Sequence, residues 1–132
     1  MERNLILDTG TLIAFERGDL DRAAFRDDDV AVAAITIAEY RTGIELADPV
    51  RRAEDRERAL AALMPVLQVL DYTPNTAAHH ARLLAHVRRA GRPRGAHDLI
   101  IAAHAVEAGR LLVSTDAAAR FGDLPGVEVV TT

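Results

Sequence analysis

The chain contains no cysteine, no tryptophan and, among its 16 basic residues, no lysine. Without cysteine there is no disulfide framework, no thiolate nucleophile and no zinc-thiolate site, and a reducing, cytoplasmic setting is expected. Without lysine there is no P-loop, whose G-K-[ST] core is missing. An aspartate-based phosphoryl-transfer reading, with Asp8 as nucleophile, also fails, because receiver domains and haloacid-dehalogenase-type phosphatases both rely on a lysine. No apolar run reaches the roughly 18 residues of a membrane span, and the N-terminus has neither the basic region nor the long apolar core of a signal peptide.

What is present is a chain of 132 residues with 20 acids and a net charge of -4. That length suits a single domain, 1–132, with one sizeable core. Short apolar runs at 4–7, 30–34, 66–70, 111–113 and 127–130 read as strands. Between them lie helical stretches: Thr11 to Arg17 ended by Gly18, TIAEYRTGIELAD from Thr36, a charged segment with Pro49 just inside its start, a long helix opened by Pro74 and capped by Gly91, and AHDLIIAAHAVEAG ended by Gly109. Strands separated by helices imply crossover connections, hence an α/β fold with a mostly parallel central sheet. No internal repeat or low-complexity segment interrupts this order.

In an open parallel sheet ligands sit outside the carboxyl ends of the strands, so acids just beyond strands carry the most information. Asp8 follows the first strand, with Thr9-Gly10 expected as a tight turn behind it. Asp116 follows LLV, and Glu39 and Asp98 fall in the first turns of their helices. Each acid also has a structural reading. Thr36 and Glu39 form a T-x-x-E capping box, and Asp8, Asp98 and Asp116 could each be an N-cap. Four carboxylates at one sheet edge, however, would repel one another unless a cation neutralised them. Oxygen-only ligands suit Mg²⁺ or Mn²⁺.

The order D-T-x-x-L (Asp8, Thr9, Leu12), T-x-x-E (Thr36, Glu39), H-D-L-I-I-A-A-H-A (Asp98) and S-T-D…F followed by P-G-V-E-V resembles the PIN domain, and most closely the VapC toxins of bacterial type II toxin-antitoxin systems. The likeness runs from about Asn4 to Val130. It implies a three-layer α/β/α sandwich with about four or five strands. It also implies a Mg²⁺- or Mn²⁺-dependent endoribonuclease that is usually a homodimer and is inhibited by a cognate antitoxin. Carried over by position, Asp8, Glu39, Asp98 and Asp116 are the acidic set, with Asp8, Asp98 and Asp116 as metal ligands. Thr9 and Thr11 are supporting residues, as is a hydroxyl near the fourth acid, for which Ser114 and Thr115 both qualify. Many relatives have asparagine before the third acid where this chain has His97, so no role carries over to that neighbour. Asp123 is a weaker substitute for Asp116.

The loop RRAGRPRG sets Arg88, Arg89, Arg92 and Arg94 just before Asp98. Such a cluster would attract RNA phosphates while reading little sequence. It also complements a helix C-terminus. With only Phe15, Phe25, Tyr40, Tyr72 and Phe121 for base stacking, RNA shape is the expected basis of specificity. The histidine pairs His79/His86 and His97/His104 lack a third convergent ligand, so zinc is not expected. The alternative to catalysis is a PIN-fold interaction module that binds an antitoxin or RNA, its acids serving only as caps.

Overall fold

The computed structural model describes residues 2–130. Strands β1 (Asn4–Leu7), β2 (Asp29–Ala33), β3 (Gln68–Leu70), β4 (Leu111–Val113) and β5 (Val129–Val130) form one sheet in the order β3-β2-β1-β4-β5. Every neighbouring pair is parallel, in a register that sets Leu7 beside Val32 and Val113. The helices α1 (Thr9–Arg17), α2 (Ala34–Glu45), α3 (Val50–Leu63), α4 (Pro74–Ala90) and α5 (Ala96–Ala108) connect them. The α/β sandwich expected from the sequence is therefore the fold. No helix among the described residues is long and apolar enough to cross a membrane.

The layers follow from side-chain alternation along β1. Leu5 and Leu7 join a core with Leu12, Phe15, Tyr40 and Leu60, while Ile6 joins a second core with Leu83, Leu99 and Leu112. All three β1 side chains are fully buried, and each contributes roughly 1.5–3 kcal/mol by leaving water. Helix α5 is apolar nearly all round because it is enclosed on several sides: it packs on α4 and also against α2, β2 and β4.

Several boundaries differ from the sequence expectation. Helix α2 begins at Ala34, so Thr36 lies inside its first turn instead of capping it. Ala33 is the N-cap, without a side-chain bond, and the T-x-x-E capping box does not form. Thr9 and Gly10 belong to the first turn of α1 and make no separate turn. Pro49 is the N-cap of α3, and Gly95 takes the N-cap position expected of Asp98. The run 66–70 is strand only from Gln68, because a 3₁₀ turn at Met64–Val66 consumes its start. Of 127–130 only Val129–Val130 pairs as strand. The expected helix limits at Pro74, Gly91 and Gly109 hold, both glycines being left-handed caps.

The amino edge of the sheet is tied by arginine. Arg110, just before β4, donates to the carbonyls of Leu5 and Asp29, to Asp29 Oδ1 at 2.7 Å and to Gln68 Oε1 at 2.7 Å. One guanidinium thus joins the starts of β1, β2 and β3. Arg3 grips Asp28 with two side-chain bonds and one from its backbone N–H. Its charge and hydrogen bonds hold the Asp28 carboxyl below the usual carboxylate range.

Candidate active site

Strand order reverses at β1, whose neighbours are β2 on one side and β4 on the other. The crevice beyond the carboxyl ends of β1 and β4 is thus the switch point at which open α/β sheets hold ligands. Asp8 leaves β1 there in extended conformation and caps α1, its Oδ1 accepting the Thr11 N–H at 2.9 Å. Its Oδ2 accepts the Ser114 hydroxyl at 2.6 Å. With both oxygens engaged and only 6% of the residue exposed, Asp8 has one fixed orientation. The choice between Ser114 and Thr115 is thereby resolved for Ser114, which also accepts the Asp116 N–H at 3.1 Å.

Glu39 comes down from α2 to the same crevice. Its Oε1 accepts the Thr9 hydroxyl at 2.7 Å, and its Oε2 lies 3.1 Å from His97 Nδ1. Neither contact shows in the sequence pattern: Thr9 supports Glu39 across 30 residues, and the His97 ring lies against its other oxygen. Asp98 is the third residue of α5 and leans back over Gly95, where an added Cβ would stand 3.0 Å from Asp98 Oδ2. A side chain at that position would make the Asp98 carboxylate give way by a few tenths of an ångström. Asp116 is exposed and caps the 3₁₀ turn Ala117–Ala119 through the Ala118 N–H.

The four acids share one electrostatic field. Burial, and then the negative charges of Asp8, Glu39 and Asp116, push the Asp98 carboxyl above the usual carboxylate range, with His97 opposing. Capping and clustering are therefore not alternatives here: Asp8 and Asp116 do both. Among the described residues, no three His, Asp or Glu side chains stand close enough to enclose an ion by themselves. Asp8 and Glu39 have both oxygens on protein partners, and Asp116 has one. The donor set fits a hard divalent ion held by one or two carboxylates and completed by water and phosphate oxygens, as Mg²⁺ prefers, and not a closed protein cage.

The arginines divide. Arg88 and Arg89, in the last turn of α4, and Arg92 in the following loop are exposed. Arg94 is mostly buried and its Nη1 donates to the carbonyls of Ala119 and Arg120, so much of its hydrogen bonding is spent on the turn after Asp116. Sequence reasoning missed Arg120, whose φ of 46° makes it the one non-glycine residue with positive φ among those described. Nothing in the local pattern signals that, since the conformation is imposed by the turns on either side.

A parallel open sheet with a carboxylate-lined crevice at its switch point defines the class: an α/β fold that gathers acids at the carboxyl edge of its strands. The chain belongs to the PIN-domain family, whose PIN domain model matches residues 5–125. It is 36% identical to Ribonuclease VapC2 of Haemophilus influenzae over 66% of its length, a match that spans 64% of that relative. It is 33% identical to Ribonuclease VapC5 of Mycobacterium tuberculosis, over 84% of this chain and 82% of the relative. Its fold superposes on a DNA-bound VapBC structure from Salmonella typhimurium with a TM-score of 0.86, at 26% identity over 98% of each chain.

Proposed function

We propose that this chain, as a single domain over 1–132, is a Mg²⁺- or Mn²⁺-dependent endoribonuclease of the VapC toxin kind, neutralised by a cognate antitoxin. The observation that carries the reading is the convergence of Asp8, Glu39, Asp98 and Asp116 from four separate elements on one crevice, strong enough to raise the Asp98 carboxyl. The ribonuclease names of relatives sharing about a third of its residues support RNA as the substrate. The VapBC complexes among its structural neighbours support an antitoxin partner; assembly as a homodimer rests on the family resemblance alone.

A divalent ion held by one or two of Asp8, Asp98 and Asp116, with water and phosphate oxygens completing its shell, would activate water and neutralise charge on the phosphodiester under attack. The chain's own part is orientation. Ser114 and the Thr11 N–H fix the Asp8 oxygens, and Thr9 with His97 fixes those of Glu39. Asp98, costly to ionise among three other acids, gains most from a cation beside it. The exposed Arg88, Arg89 and Arg92 draw in the RNA backbone, which makes binding dependent on salt.

Purified protein should cleave RNA on addition of Mg²⁺ or Mn²⁺ and stop on addition of EDTA. Asp8→Asn and Asp98→Asn should abolish cleavage with the circular dichroism spectrum intact. The contrary reading, a non-catalytic interaction module, draws on the capping bonds of Asp8 and Asp116. It predicts that neither metal nor these substitutions changes the RNA.

A further inference from the structure

A hollow of about 360 Å³ opens directly beside Asp116, lined by Ser114, Thr115, Arg120, Phe121 and Val129. Asp116 and Ser114, the residue that holds Asp8, both line it, so it borders the acidic crevice. Its walls are mixed in character. Ser114, Thr115 and Arg120 are polar, while Phe121, 3% exposed, and Val129, 40% exposed, give an apolar side.

Arg120 is held at this rim against its own preference. A side chain at φ 46° is strained, and strain of that sort survives only where the surroundings impose it. The surroundings do so: the Arg120 carbonyl accepts from Arg94 at 2.8 Å and from the Asp123 N–H at 3.1 Å, and its own N–H donates to the Ala117 carbonyl at 3.2 Å. The side chain is about half exposed and lines the hollow, and its ion pair with Asp123 is loose, at 3.7 Å.

We propose that this hollow seats one nucleotide of a single-stranded RNA next to the phosphodiester at the acidic crevice, with Arg120 on its phosphate and Phe121 and Val129 against its sugar or base. The inference rests on the ribonuclease reading and adds the place where the strand is held. Arginine suits the phosphate because its fork of donors matches phosphate oxygens. A hollow of this size on an open edge takes one unstacked nucleotide; bases in a duplex are not presented in that way. Four acids stand close by, so an arginine here also offsets the repulsion a phosphate would meet on approach.

The test is an amide-resolved NMR titration of the whole chain with each nucleoside 5′-monophosphate, in EDTA so that cleavage and metal play no part. Saturable shifts are expected at the amides of Ser114, Thr115 and Gly122. Arg120→Gly suits the left-handed backbone, so it should fold at least as well as the parent. It should bind about tenfold more weakly. Arg120→Lys should restore part of the loss. Equal binding by parent and Arg120→Gly would overturn the inference, as would shifts confined to His86 and Arg92, or inorganic phosphate binding as tightly as the nucleotides. RNA cleavage without nucleotide shifts sinks the subsite alone. Nucleotide binding by a protein that never cleaves RNA sinks the ribonuclease reading and leaves the subsite standing.

Discussion

The two ends of the same sheet treat their carboxylates in opposite ways. At the amino edge Asp28 is gripped by Arg3 and Asp29 by Arg110, so each charge meets its partner within hydrogen-bond distance. At the carboxyl edge the charges of Asp8, Glu39 and Asp116 bear on Asp98 with His97 opposing them, and Arg94, mostly buried, is spent on carbonyls. A fold that can pair acids with arginines at one end, and does not at the other, leaves charge there for something else to neutralise. Stability governs the first edge. The second is where the proposed ligand chemistry would act.

Substitutions at the two edges should therefore separate activity from stability. The largest effect expected is that of Asp98→Asn, which should lower RNA cleavage roughly 10²- to 10³-fold or more. The same change should raise the thermal midpoint near neutral pH in EDTA. The reason is one of sign: the folded-state value of Asp98 lies above its unfolded value, so ionisation disfavours the fold at high pH. That penalty fades as pH falls through the raised folded value and is gone below about 3.9, the ordinary aspartate value. The stability gain of Asp98→Asn should vanish over the same range. A variant both inactive and less stable at neutral pH would break the contrast between the edges.

Next comes Ser114→Ala, which frees one oxygen of Asp8. Partners of metal-binding side chains typically change metal affinity 10- to 100-fold when removed, and a loss of about tenfold is expected here. It can be read from the Mg²⁺ concentration needed to raise the thermal midpoint. At the opposite edge, Arg110→Ala should cost about 2 kcal/mol, because it strands two carbonyls and a carboxylate at the strand starts. Denaturant unfolding measures this, and cleavage per folded molecule should not change.

The smallest effect is the pH response of Asp28. Its folded value lies below the ordinary one, so its contribution is present above about pH 3.9 and is lost as pH falls through the folded value. Arg3→Met should move the midpoint of acid unfolding slightly upward, with no effect on metal binding.

The sheet and its helices were legible because alternation, proline and glycine act locally. Pro74, Gly91 and Gly109 end or begin helices where the pattern put them. Boundaries slipped where tertiary pairing decided. The run 66–70 could be strand throughout, but the 3₁₀ turn Met64–Val66 takes its start and pairing with β2 begins only at Gln68. Similarly, T-x-x-E reads as a capping box until α2 starts two residues early and carries Glu39 to Thr9 instead.

Sequence alone determined the chemical inventory: oxygen ligands without thiolates or lysine, a parallel α/β order, and four acids each just past a strand or at a helix start. Their meaning depended on distance, which chain order does not contain. Only the tertiary structure decided that Ser114, 106 residues from Asp8, is the hydroxyl that holds it. The same is true of His97 lying against Glu39, and of Arg94 pinning the turn that sets Arg120 at the rim. The physical reason is that charge repulsion and hydrogen bonds act over a few ångströms of space. A strand order that reverses at β1 brings residues from both ends of the chain within that range.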